Sequence, residues 1–175
     1  MESAANRRLF WGTVIGIVTL DILTKLLAEG VLSHRPIPVI GDYVVLRLVY
    51  NQCAAFGICL GPAEYSRWIF LALALLALTV LGSMVRNTPD SDRFRLFVLG
   101  LLVAGAVGNV VDRLRSAQGV VDFIEVGIGS YRWPTFNVAD SAITVGAIAL
   151  AISLWMEGRT RGGGAAPKEA GTATS

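Results

Sequence analysis

The chain is 175 residues long, 54% hydrophobic and only 16% charged, with a net charge of +2 at neutral pH. A soluble domain carries about 25% charged residues, so the deficit excludes an ordinary water-facing surface and makes lipid the solvent for much of the chain. The small charge, with arginines in short clusters and no aromatic-and-basic interleaving, excludes nucleic acid as a partner.

The first apolar run extends from near Leu9 to Ala28 and contains Asp21 and Lys25. It is too long for the core of a cleaved leader and reads as a retained span. Residues Ile37 to Tyr50 read IPVIGDYVVLRLVY, β-branched and aromatic around a Gly41-Asp42 turn; they predict short strands and a small sheet, about residues 36–56, lying on the outer membrane surface. The Gly/Pro-containing stretch from Gly57 to Arg67 is expected to form a mobile lid. A second span follows from near Trp68 to Val85 and a third from near Phe94 to Val111. Phe123 to Trp133, with Gly127 and Gly129, predicts an irregular or hairpin-like return. The last span runs from near Phe136 to Trp155, and residues 159–175 form a flexible tail rich in Gly, Ala and Thr.

The expected architecture is therefore a mainly α membrane protein with four transmembrane helices, a small periplasmic sheet and a periplasmic lid, in one domain over residues 1–158. Helices follow because backbone amides in hydrocarbon must be satisfied within the segment. Gly12, Gly16, Gly105 and Gly108 are expected to let neighbouring helices approach closely. Arg7 and Arg8, then Arg86, Arg93 and Arg95, then Arg159, Arg161 and Lys168 fall on one side of such a bundle. The other side carries Arg35, Arg47, Arg67, Arg113, Arg115 and Arg132 over longer segments. This bias places both termini in the cytoplasm and the two long connections outside.

Two cysteines, Cys53 and Cys59, do not make a disulfide framework and lack metal-ligand spacing beside a lone His34; both thiols are expected to be packing residues, and no metal or cofactor is expected. Ionisable groups within a span cost about 2.5–3.5 kcal/mol each on insertion scales, so each needs a reason. Asp21 and Lys25 stand i, i+4 on one face and are expected to pair with each other, bracing a site without touching substrate. Asn109, Asp112 and Arg113 share a face at the outer end of the third span. They form either a polar helix end in which Arg113 neutralises Asp112, or a support that donates to a substrate backbone. Asn137 precedes Asp140 by three, close to a capping box, so Asp140 has a structural reading as well as a catalytic one. Asp122, after Gly-Val-Val, lies in the same outer layer. Two apposed carboxylates in a poorly hydrated place share one proton, which is the arrangement by which aspartic proteases activate water. Two rivals come from other classes. One is a small transporter or channel with Asp21, Asp112 and Asp140 lining an ion path; the other is a non-catalytic membrane partner.

At these residues the chain resembles the lipoprotein signal peptidases, the signal peptidase II family. Asp21-Ile22-Leu23-Thr24-Lys25 is similar to the family's first-span motif, and Asn51-Gln52-Cys53-Ala54-Ala55-Phe56 to its Asn-x-Gly-Ala-Ala-Phe. Gly108-Asn109-Val110-Val111-Asp112-Arg113, continuing to Gly119-Val120-Val121-Asp122-Phe123, is similar to the third block, and Phe136-Asn137-Val138-Ala139-Asp140-Ser141 to the fourth. The resemblance implies Asp122 and Asp140 as the catalytic pair, positioned with substrate by Asn51, Asn109, Arg113 and Asn137. It implies a prolipoprotein substrate cut just before a diacylglyceryl-modified cysteine, contact with membrane lipid, and inhibition by globomycin at a bacterial inner membrane. A monomer is expected. Two departures stand out: Cys53 occupies the usual glycine position, and the segment from Asp112 to Asp122 is one residue longer than the commoner form.

Overall fold

Residues 2–53, 59 and 63–162 are described by the computed structural model, in the order α1 (Glu2–Val31), β1 (Ile37–Ile40), β2 (Val44–Asn51), α2 (Ala63–Asn87), α3 (Arg93–Arg115), β3 (Val120–Ile128), β4 (Tyr131–Arg132) and α4 (Val138–Gly162). Among the described residues three helical segments are long and apolar enough to cross a membrane, Tyr65–Asn87, Arg93–Arg115 and Val138–Arg159. At 1.5 Å per residue each exceeds the hydrocarbon thickness of about 30 Å.

Polarity is distributed the opposite way from a water-soluble fold. Leu23, Leu27, Leu76, Val145, Ile148 and Trp155 are exposed, whereas Asp21, Lys25, Asp112, Arg113, Asp122 and Asn137 are buried. Hydrocarbon around the bundle accepts the former; the latter must find partners inside. Helix α3 is the hub, packing on α1, α2 and α4, while α2 lies chiefly on α3 and meets α1 near Val85, whose carbonyl accepts from Arg7 at 3.2 Å. Phe10, Val14, Val85, Leu96, Leu99 and Leu102 form the apolar core at one end. Ala28, Leu32 and Phe123 tie α1 to the sheet at the other.

Small residues explain how close α3 and α4 come. A Cβ on Gly108 would stand 2.5 Å from Asp21 Oδ2 and 3.1 Å from Ala139 Cβ. One on Gly105 would run into the Ala139 carbonyl. Gly12 and Gly16, expected to act likewise, face open space.

The sheet is antiparallel in the order β1-β2-β3-β4. It is wider than the sequence indicates: the return after α3 supplies its third strand, with Val49 opposite Asp122 and Asn51 opposite Val120, and turns back through a short hairpin to β4. Alternation and turn residues mark the first two strands, but the pairing of β3 with β2 spans about seventy residues and has no local signal.

Several expectations are corrected. Cys53 and Cys59 are not free packing thiols; they form a disulfide with Cα atoms 4.5 Å apart, within the range such a bridge requires. Two cysteines are too few for a framework but enough for one local staple. Of the anticipated lid, residues 57, 58 and 60–62 lie outside the described residues, and Ala63 to Arg67 already belong to α2. The buried Ser66, whose hydroxyl donates to the Gln52 carbonyl at 3.1 Å, holds that first turn against the end of β2. Helix α4 continues to Gly162 instead of ending before residue 159; residues 163–175 of the expected tail lie outside the described part. Phe136 is not in α4 but bridges to Ile124.

Candidate active site

Asp122 sits on β3 with its side chain turned inward and 1% exposed. Its two oxygens are held from opposite sides: Asn51 Nδ2 donates to Oδ2 at 2.9 Å and Asn137 Nδ2 to Oδ1 at 2.8 Å. Asp140 lies in the first turn of α4. Asn109 Nδ2 donates to its Oδ1 at 2.8 Å, and the Asn137 backbone N–H to its Oδ2 at 3.4 Å.

Asn137 is the residue that joins them. It caps α4, its Oδ1 accepting from the Asp140 N–H at 2.8 Å and its carbonyl from the Ser141 N–H at 3.2 Å. The reciprocal bond from the Asn137 N–H to the Asp140 carboxylate completes a capping box. The structural reading of Asp140 is therefore realised, and it coexists with placement beside Asp122, because the Asn137 amide nitrogen is free to point across to β3. That nitrogen also contacts Asn109 Oδ1 at 3.3 Å and the Val121 carbonyl at 3.2 Å.

Beneath this layer lies a buried charge triad. Lys25 Nζ is 2.7 Å from Asp21 Oδ2 and 2.7 Å from Asp112 Oδ2, and it reaches Asn109 Oδ1 at 3.4 Å. Each acid of the triad has a second task. Asp21 Oδ1 accepts from the Ala139 N–H at 2.9 Å, and Asp112 Oδ2 from the Val121 N–H at 3.2 Å. The triad thus grips the peptide immediately before Asp140 and the one immediately before Asp122. The expected Asp21–Lys25 pair is present, but Asp112 is neutralised by Lys25, with Arg115 at 3.8 Å, and not by Arg113. Arg113 is left to donate to the Cys53 carbonyl at 3.2 Å and the Asn109 carbonyl at 3.3 Å, with its guanidinium 5.3 Å over the Phe70 ring.

Both carboxylates open onto one cavity of about 620 Å³, lined by Phe70, Ala74 and Ala77 of α2, Asn109 and Arg113 of α3, and Ser141, Ile143 and Thr144 of α4. Asn51, Trp133, Pro134 and Phe136 close it on the sheet side. Burial pushes the Asp122 carboxyl up to about 7, and the charge of Asp140 adds to the rise; the amides of Asn51 and Asn137 and the Lys25 charge pull the other way. A carboxyl poised there is about half protonated at neutral pH, where an ordinary aspartic acid has lost its proton.

All nine residues singled out in the sequence meet around this cavity or in the triad below it. The sequence reading missed Cys53 as a contact of Arg113, and Phe70, Trp133 and Thr144 as lining. The apolar ones carry no signal apart from any other apolar residue in a span; Cys53 was marked only by standing where the motif has glycine.

A family model described as signal peptidase (SPase) II matches residues 13–156. Proteins named lipoprotein signal peptidase from Treponema denticola (41% identical, covering 81% of this chain and 86% of that one) and Geobacter sulfurreducens (36% identical, 88% and 96%) are among the similar sequences. A solved bacterial membrane enzyme superposes with a TM-score of 0.74 at 25% identity, over 95% of this chain and 94% of its own. A second does so with a TM-score of 0.72 at 29% identity, over 83% and 91%.

Proposed function

This chain belongs to the signal peptidase II family, and on that premise we propose that it removes the signal peptides of prolipoproteins as an aspartic-type membrane protease with Asp122 and Asp140 as the catalytic pair. The observation that carries the reading is the single Asn137 side chain and backbone holding both carboxyls at the end of one cavity.

In the mechanism that follows, one ionised aspartate takes a proton from a water while the protonated partner donates to the scissile carbonyl, so that water attacks directly and no acyl-enzyme forms. The burial that raises the Asp122 carboxyl favours a proton held on the pair near neutrality, which supplies the second half of this requirement. Asn51 and Asn109 hold the carboxyl planes, and Arg113 offers a cation to a substrate carbonyl. No metal or cofactor takes part in this scheme.

The substrate's signal helix enters sideways from lipid. Among the described residues helix α2 lies chiefly on α3, and the cavity lies between α2 and α4 with an apolar lining. The acyl chains of a diacylglyceryl-modified cysteine then stay in the bilayer, and the extended segment around the cut lies along the sheet by backbone pairing. We assign α1 as a fourth span, both termini to the cytoplasm and the site to the periplasmic face of the inner membrane, with a monomer as the working unit. Globomycin is expected to occupy the same cavity. The transporter reading has no support: two of its three path-lining acids, Asp21 and Asp112, are locked on Lys25.

The test is cleavage of a diacylglyceryl-modified prolipoprotein by the purified protein. Wild type cuts it just before the modified cysteine, and folded Asp122→Asn and Asp140→Asn do not. Near wild-type cutting by Asp140→Asn would reduce Asp140 to a helix cap and end the proposal.

A further inference from the structure

The disulfide lies beside the candidate site, and the mechanism above leaves it without a task. Cys53 follows the end of β2 and lines the same cavity as Asn51 and Asp122. Its backbone N–H donates to Asn51 Oδ1 at 2.9 Å, and Asn51 Nδ2 in turn donates to Asp122 Oδ2 at 2.9 Å. Its carbonyl accepts from Arg113 Nη2 at 3.2 Å. An asparagine side chain has two unlike ends of nearly the same shape. What decides that nitrogen, and not oxygen, faces the carboxylate is the donor that claims the oxygen. Here that donor is the Cys53 N–H, whose position is fixed by a covalent bond to Cys59 six residues on.

We propose that Cys53, tethered by its disulfide to Cys59, is a positioning residue for the Asp122 carboxyl, which makes the activity of this chain depend on its redox state. The inference rests on the reading of Asp122 as one of the catalytic pair. The charged groups that face Asp122 are Asp140 on α4, Lys25 on α1 and Arg113 on α3, and the segment from 53 to 59 contains none. Reduction therefore acts on Asp122 through Asn51 and on the cavity through Arg113. Losing the Asn51 donor weakens the carboxylate form and raises the pH at which Asp122 gives up its proton.

The experiment uses the full chain in lipid nanodiscs with and without dithiothreitol. The dithiol supplies two electrons and two protons, the disulfide becomes two thiols, and the dithiol closes to its cyclic disulfide; alkylation and mass measurement confirm the conversion. The chain has two cysteines, so the reductant has no other cystine to attack. Expected are a roughly tenfold fall in kcat and an upward move of the alkaline limb of the pH profile. Cys59→Ala reproduces these values, and Cys53→Ala/Cys59→Ala does not respond to reductant. Complete reduction that leaves kcat and the alkaline limb in place overturns the proposal. So does loss of helical circular dichroism together with activity, since the bridge is then a general staple. If the oxidised wild type cleaves nothing, the protease reading has failed, and the infrared C=O band of protonated Asp122, assigned by Asp122→Asn, still decides this one. Reduction shifts its titration upward if the positioning is real and leaves it unmoved if not.

Discussion

Lys25 on α1 and Asp112 on α3 meet at 2.7 Å in a place where neither reaches solvent. With Asp21 at the same distance on the other side of the ammonium, one cation holds two anions, and each anion holds the peptide that precedes one member of the aspartate pair. The separation of Asp122 and Asp140 is thereby set from below by a charge cluster that touches neither of them. Removing one partner of such a cluster costs about 3–5 kcal/mol because the others stay buried and unpaired. Lys25→Met is expected to lose stability on that scale and to be inactive. Adding Asp21→Asn and Asp112→Asn, which removes the stranded charges, is expected to recover most of the melting temperature in detergent. Recovery of nothing would mean that the lysine acts by packing and not by charge.

Asn137 performs two tasks that a substitution can separate. Asn137→Ala removes both the cap and the amide donated to Asp122; loss of a cap alone costs about 1 kcal/mol. Asn137→Ser keeps a capping oxygen for the Asp140 N–H but is too short to reach β3. Its melting temperature is expected to stay near wild type while kcat falls about a hundredfold, the scale of a misplaced catalytic group. Equal activity of Asn137→Ser and wild type, measured by prolipoprotein cleavage, would remove the bridging role.

The Asp122 carboxyl sits at about 7 against 3.8 for an ordinary aspartic acid, so its protonated form is the one the fold favours. For stability the sign follows directly. The contribution is fully present below the unfolded value and is lost as pH rises through about 7. For activity, a pair that shares one proton loses it on the same rise, giving an alkaline limb near neutrality. Asn51→Leu removes a donor that favours the ionised form, and is expected to move that limb to higher pH in a kcat profile. A move to lower pH would contradict the assigned role of the amide.

How much of this is legible in the sequence depends on the range of the interaction. The three spans from Tyr65, Arg93 and Val138, the i, i+4 pairing of Asp21 with Lys25 and the Asn137–Asp140 cap are local, and their spacing announces them. That Asp112 pairs with Lys25 and not with the adjacent Arg113 is set by the α1–α3 crossing, which Gly108 permits by leaving room for the Asp21 carboxylate. The third strand is equally silent, because Val120 to Ile128 gains its identity from pairing with β2, far away in sequence. The Cys53–Cys59 bridge is silent too, because the spacing of two cysteines does not state whether they pair.

Gly119 illustrates how backbone freedom is used at the site. It has φ +103, and a Cβ there would overlap the carbonyl of Asn51, the residue that donates to Asp122. Gly129, in the β3–β4 turn, also has positive φ, at +58, but a Cβ there meets nothing within 4 Å. The two glycines therefore separate conformational strain from steric displacement. Gly129→Ala is expected to cost about 1 kcal/mol, the penalty of a left-handed residue, with cleavage unchanged. Gly119→Ala bears the strain and the overlap together, so the end of β2 must move and carry Asn51 away from the carboxylate. Its expected signature is a larger drop in melting temperature and a fall in kcat accompanied by the same alkaline shift as Asn51→Leu. If Gly119→Ala destabilises the fold but leaves the pH profile where it was, β2 yields without disturbing Asn51, and the coupling between this turn and Asp122 is absent.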